Sequence, residues 1–202
     1  MKPSVVAAIF TVAYQLFSLY LCRKYRPKLR DLIFGAVACA LTAVFSYFVV
    51  PLPTGAVAII GSSIPLILTA LVCDFRLAIV SGWVMGILTI VLMLPAWQPV
   101  HWAQIFVEHM ICFSCLGYAG IFGSDSRRKM WCGIAVTMLL QFTSHILTGA
   151  VFFSVNAWGG WSAWGYSFVY NLSQVITEGI VTIAIMSIMP LKNLKLAVSG
   201  KR

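Results

Sequence analysis

The sequence predicts an all-α integral membrane protein of seven spans, with its N-terminus outside and its C-terminus in the cytoplasm. Three observations lead there. Of 202 residues, 61% are hydrophobic and 9% charged, whereas soluble domains are about one quarter charged. Apolar segments lie at 4–22, 31–50, 55–73, 77–94, 103–122, 131–154 and 166–190, each near the roughly 20 residues of a bilayer span. Thirteen of the fourteen Lys and Arg residues fall in alternate gaps: Arg23 to Arg30, Arg76, Arg127 to Lys129, and the tail from Lys192 to Arg202. The intervening gaps, Pro51–Thr54, Pro95–Trp102 and Val155–Gly165, carry none. Cytoplasmic loops are the ones enriched in Lys and Arg, so this asymmetry orients the chain.

The elements follow in order. Residues 4–22 form a retained extra helix, because no small-residue cleavage site precedes Arg23 and Lys24; with the basic linker it makes a first unit, 1–30. Residues 31–190 form the working bundle of six helices. In the first of them Ala36 and Ala40 share a face with Gly35 and Ala43 close by, and small residues at that spacing let another helix approach closely. That face serves either ordinary packing or the docking of a different membrane subunit. Pro51 and Pro53, then Pro95 and Pro99, mark turns, and Pro190 ends the last span. Residues 191–202 are a basic cytoplasmic tail. A helix is the natural state of each apolar segment because the bilayer core offers no water to backbone groups. The period-2 alternation of a membrane barrel is absent, as is any internal repeat.

The net charge of +9 belongs to this orientation and not to nucleic-acid binding, for no domain is left to carry such a surface. Six cysteines lie in or at the ends of apolar segments. The pair Cys112 and Cys115 sits within a span, where cysteine acts as a small hydrophobe. No metal or cofactor is expected.

Five acidic residues are present. Asp31, Asp74 and Asp125 accompany cations in cytoplasmic gaps, which leaves Glu108 and Glu178 inside spans. An ionisable residue there is a functional candidate because burying it unpaired is costly. At about 1.5 Å rise per residue, Glu108 lies about 8 Å below the outer end of its helix and Glu178 about 18 Å. The same rise places His145 about 13 Å deep and Asn171 about 8 Å deep, on two other helices. Tyr166 opens the last helix and His109 adjoins Glu108. The outer loop from Asn156 to Tyr166 contains Trp158-Gly-Gly-Trp161, with Phe152 and Phe153 just before it and Trp97 and Trp102 in the previous outer gap. Some of these aromatics are expected as an interfacial belt. The flexible Trp-Gly-Gly-Trp loop above the polar groups also suits a lid over a flat ligand. A carboxylate beneath aromatic faces favours a cationic aromatic molecule. Neither H-E-x-x-H nor G-x-S-x-G occurs, and no phosphate-cradling glycine loop is found, so the chain is expected not to be an enzyme and cannot hydrolyse ATP itself.

From Ala103 to about Met189 the chain resembles the thiamine-specific S-components of energy-coupling factor transporters. The likeness runs through Gln104-Ile-Phe-Val-Glu108-His109, Leu116-Gly-Tyr-Ala-Gly-Ile-Phe122, Ser144-His145 to Phe153, and Ala157-Trp-Gly-Gly-Trp161 into Tyr166 to Asn171. The resemblance implies a six-helix S-component bundle that captures vitamin from outside. It implies a prokaryotic, multi-pass cell-membrane protein that works with a membrane-embedded coupling subunit and two cytoplasmic ATPase subunits. It further implies that Glu108, His145, Tyr166 and Asn171 line the pocket and that Ala36 and Ala40 dock the coupling subunit. Together with His109, Phe153 and Trp158, the four pocket residues are expected to bind thiamine or a thiamine precursor or analogue. Against the family pattern, His109 stands in place of Tyr, Phe153 in place of a stacking Trp, and Ala56 and Met85 where compared thiamine binders carry Trp. The helix 4–22 is additional. Three other readings remain, the first two being an S-component for another heterocyclic vitamin and a membrane-embedded enzyme using Glu108, His109 and His145. A third is an assembly protein whose Ala36/Ala40 face is its main function.

Overall fold

The computed structural model describes residues 2–199, so the end of the basic tail, Lys201 and Arg202, lies outside the described residues. Eight helical elements and one small hairpin follow in order: α1 (Pro3–Cys22), α2 (Leu29–Phe45), β1 (Val49–Pro51), β2 (Val57–Ile59), α3 (Ile64–Val72), α4 (Phe75–Val91), α5 (Ile105–Gly120), α6 (Arg127–Phe152), α7 (Ala163–Ile188) and α8 (Leu191–Ser199). Local chemistry sets many of the starts. Pro3 opens α1, where its missing N–H costs nothing. Asp74, Ser126 and Ser162 accept backbone N–H groups at the starts of α4, α6 and α7. The Lys28 N–H donates to Asp31 Oδ2 at 2.9 Å, closing the first turn of α2.

α1, with 20 residues, and α6 and α7, with 26 each, are long and apolar enough to cross a bilayer; α4 and α5 are shorter apolar helices. Their outward faces are apolar and exposed, for example Ile9, Val12 and Leu16 on α1 and Ile176, Ile180 and Ile183 on α7. Polar side chains such as Ser114, Thr137, Ser144 and Ser167 are buried instead. That arrangement suits a hydrocarbon solvent, and the chain is a helical membrane protein.

Two expectations change. Segment 31–50 stops being helical at Phe45, and segment 55–73 is not one span but a strand followed by the nine-residue α3. Residues 49–59 form an antiparallel hairpin pairing Val49 with Ile59, Val50 with Ala58 and Pro51 with Val57. Pro51 and Pro53 lack helix-donor N–H groups, β-branched Val and Ile favour the pleat, and Gly55 takes φ +85° in the turn. Hydropathy alone cannot tell such a strand from part of a span.

α5 is also irregular. It starts as a single π turn over Ile105–His109, continues as one α turn over Met110–Ser114, and tightens to a 3₁₀ form over Cys115–Gly120. α4 packs directly against it. At Gly86 a Cβ would come within 2.7 Å of the His109 carbonyl oxygen, so only glycine permits this approach. Leu66, Ile67, Met85, Leu94, Leu116, Met130 and Met186 fill the core between α3, α4, α5, α6, the end of α7 and the start of α8. α1 lies against α4, α5 and α6. Three polar pairs fix it: Tyr14 with Ser114 at 2.8 Å, Ser18 with Tyr118 at 2.7 Å, and Trp83 Nε1–H donating to Gln15 Oε1 at 2.9 Å.

Candidate functional site

A cavity of about 250 Å³ opens among the hairpin, the α4–α5 connection, α5, α6 and α7. The residues anticipated at one level from three helices meet there. The π turn of α5 turns Glu108 toward the cavity while its neighbour Val107 packs on Ala7 and Leu147. His145, two turns before the C-terminal end of α6, places Nδ1 3.0 Å from Glu108 Oε1. Gln104, one turn before Glu108, donates through Nε2 to Oε2 at 2.6 Å. Both carboxyl oxygens are therefore engaged, with the Glu108 side chain 14% exposed and the His145 side chain 3%. An imidazole and an amide around one carboxyl group offset the cost of placing it inside the bundle.

Asn171 comes from α7, where its Nδ2 donates to the Ser167 carbonyl oxygen at 2.7 Å and to the His145 carbonyl oxygen at 3.2 Å. That second bond ties α7 to α6 at the level of the Glu108–His145 pair. Gly149 makes the close crossing possible, since a Cβ there would overlap Ser167 Oγ. Tyr166 and Phe153 supply aromatic walls. His109 reaches the lining as well, with Nδ1 held 2.9 Å from Thr89 Oγ1. Trp158 does not line the cavity. It stands edge-on against Tyr166, with ring centroids 5.1 Å apart, and against Trp161 at 5.2 Å. Ala56 and Met85 are fully buried and form no part of the lining. Cys112 lies beside the site, its Sγ 3.7 Å from His145 Nε2, and all six cysteines are free.

Several lining residues escaped the sequence reading. Trp97 and Gln98, Thr148, Tyr170 and Gln174 all face the cavity, as do Val57 and Ile59 of the hairpin. Trp97 was visible only as one aromatic of an interfacial belt, and the hairpin was hidden inside two apolar runs. Gln174 had a usable signal: it lies one turn after Asn171 and one turn before Glu178, on the same face of α7.

Glu178 has a structural partner. Its Oε1 accepts the Ile59 backbone N–H at 2.8 Å and a bond from Gln174 Nε2 at 3.1 Å. Further along the same face of α7, Ser173 Oγ lies 2.7 Å from Thr54 Oγ1, and the Tyr170 hydroxyl donates to the Gly55 carbonyl oxygen at 3.1 Å. Three side chains of α7 thus fasten the hairpin along its length.

A second concavity lies between α2 and α4. It encloses about 460 Å³ and is walled by apolar residues including Leu77, Val84 and Leu88. Ala36 and Ala40 lie on its edge and are exposed, whereas Gly35 is turned inward against Ser81 and Leu77.

A helical membrane bundle with a polar and aromatic cavity among its helices is the build of a protein that binds a small solute within the membrane. Residues 32–198 match the model of the thiamine transporter protein family (Thia_YuaJ), and the chain belongs to that family. It is 25% identical over 180 residues to the thiamine transporter ThiT of Bacillus subtilis (strain 168), covering 82% of this chain and 91% of that one. Its fold is similar to a solved structure of ThiT from Listeria monocytogenes, with a TM-score of 0.71, 21% identity, and coverage of 81% of this chain and 93% of the other. α1 precedes the stretch that the family matches.

Proposed function

We propose that this chain is the substrate-capturing S-component of a thiamine uptake transporter in a prokaryotic cell membrane, and that it is not an enzyme. The carrying observation is the Glu108–His145 pair, buried at a cavity walled by Tyr166 and Phe153, in a chain of the thiamine transporter family. Thiamine is a cation built of two flat heteroaromatic rings joined by a methylene group. A carboxyl group set among aromatic rings attracts such a cation through charge and through the ring faces. Glu108 is the anionic partner, Phe153 and Tyr166 the stacking walls, and His109, His145 and Asn171 the polar frame; Trp158 supports Tyr166 from the outer side. The chain crosses the membrane several times, N-terminus out and C-terminus in, as the confinement of Lys and Arg to alternate gaps supports. The cavity then lies toward the outer side. Coupling to ATP falls to a membrane-embedded partner with two cytoplasmic ATPase subunits. The exposed Ala36 and Ala40, beside the apolar groove between α2 and α4, suit a close helix–helix contact with that partner.

Isothermal titration of the purified full-length protein with thiamine tests the reading. Thiamine binds the unaltered protein, and Glu108→Gln weakens binding about ten- to a hundredfold, the worth of a charged hydrogen-bonding partner. An unaltered protein that takes up no heat with thiamine, or a Glu108→Gln variant that binds as tightly, refutes it.

A further inference from the structure

Two residues of the cavity lining each carry a buried polar side-chain atom with no partner within the protein. Trp97 and Thr148 line the cavity from the α4–α5 connection and from α6. They are 6% and 1% exposed, and neither Trp97 Nε1 nor Thr148 Oγ1 has a hydrogen-bond partner. Buried indole N–H groups usually find an acceptor, and leaving one without is unfavourable. The other unpaired buried side-chain atoms among the described residues belong to Thr11, Gln15, Tyr25 and Thr42, none of which lines this cavity. The coincidence of cavity and unpaired donor is therefore specific to these two positions.

Trp97 cannot easily turn to find a partner. Its ring centroid lies 4.7 Å from that of Phe113, 5.5 Å from His109 and 6.2 Å from His145. Its backbone N–H donates to the Leu94 carbonyl oxygen at 3.0 Å, which anchors the residue at its other end. The two imidazoles beside it hold other bonds, His109 Nδ1 with Thr89 and His145 Nδ1 with Glu108. An indole N–H only donates, so whatever meets it must be an acceptor.

We propose that Trp97 Nε1–H donates to an in-plane ring acceptor of the ligand and that Thr148 Oγ1 takes a second polar atom of the same ring. These two residues make the site selective for a nitrogen heterocycle over a carbocycle of the same shape. The inference rests on the proposed function, in which the ligand is thiamine. Thiamine's in-plane acceptors are its two pyrimidine nitrogens, because the thiazolium nitrogen is quaternary and has no free lone pair. Glu108 recognises charge; Trp97 recognises the ring edge. A site that hydrogen-bonds its ligand rejects an isostere lacking the partner atom because its own buried group is then left unpaired.

The test is titration of the detergent-solubilised full chain with thiamine and with two analogues, each having one pyrimidine nitrogen replaced by C–H. The unaltered protein binds one of the two analogues about tenfold more weakly than thiamine. Trp97→Phe, which keeps a ring but removes the N–H, binds thiamine about tenfold more weakly and no longer separates thiamine from that analogue. Thr148→Val, which keeps the shape, loses about five- to tenfold. The inference is overturned if the unaltered protein binds both analogues as tightly as thiamine, or if Trp97→Phe separates them as sharply as before. The analogue comparison on unaltered protein decides even if a variant folds poorly. Absence of any thiamine binding by the unaltered protein is a different result: it refutes the proposed function and the inference with it.

Discussion

Replacing Glu178 by Leu should loosen the hairpin from α7, together with Ile59 and Gln174, the two cavity-wall residues that it holds. Glu178 Oε1 accepts the Ile59 N–H at 2.8 Å, and Ile59 is 2% exposed. In the Leu variant that N–H has neither its acceptor nor water, and Gln174 Nε2 loses a bond as well. A buried donor left unpaired costs about 1–3 kcal/mol. Taking about 2 kcal/mol, and about 2–4 °C of unfolding midpoint per kcal/mol for a chain of this size, the midpoint falls by roughly 4–8 °C. Glu178→Gln keeps an acceptor oxygen at the same reach and should fall by less than half of that. Thermal unfolding followed by tryptophan fluorescence reads the midpoint. Hydrogen exchange of the amides in residues 57–60 reads the hairpin itself, and their protection should drop in Glu178→Leu. A midpoint within 1 °C of the unaltered protein, together with unchanged protection of those amides, would show that the hairpin is held by something else.

Other predictions follow from packing. Gly86→Leu places a side chain where a Cβ would already be 2.7 Å from the His109 carbonyl oxygen; overpacking costs about 1–3 kcal/mol, so the melting midpoint falls by roughly 2–12 °C and thiamine affinity falls with it in titration. Tyr14→Phe removes the bond to Ser114, worth about 1 kcal/mol, and a double-mutant cycle with Ser114→Ala on thermal unfolding should be non-additive. Trp at Ala36 and Ala40 together leaves thiamine binding by the isolated chain unchanged, because both positions are exposed, but abolishes uptake in cells that supply the coupling and ATPase subunits. Retained uptake there would place the docking face elsewhere.

Much of the site was legible because charge sorts loops by side. Once the ends of each helix were assigned, the rise per residue brought Glu108, His145 and Asn171 to similar depths, and Glu108 and His145 lie 3.0 Å apart. The hairpin was not legible, since Val49, Val50, Val57 and Ile59 are as apolar as any span and only Pro51, Pro53 and Gly55 mark the change. The sequence reads Trp158 as part of a lid above the polar groups, but its ring stands edge-on against Tyr166, outside the cavity lining. A loop residue's position alone does not tell a lid from a brace. Trp97 was hidden for the same reason, because an aromatic at a membrane boundary carries no mark of whether it faces lipid or cavity. Glu178 was rightly singled out as a buried carboxyl group, yet its partner is a backbone amide, which no residue-type pattern can reveal.

The π turn in α5 has a consequence for how this site can vary. Its defining bond runs from the Met110 N–H to the Ile105 carbonyl oxygen, so the helix accommodates one residue more than a regular turn. Each residue of an α-helix advances about 100° around the axis. Deleting a single position between Ile105 and Val107 would restore regular pitch and swing the Glu108 carboxyl group by about that angle, off the cavity, with no change of any pocket residue. The carboxyl group's aim is thus written in chain length as much as in residue type, and a one-residue gap in this turn is equivalent to losing the acid.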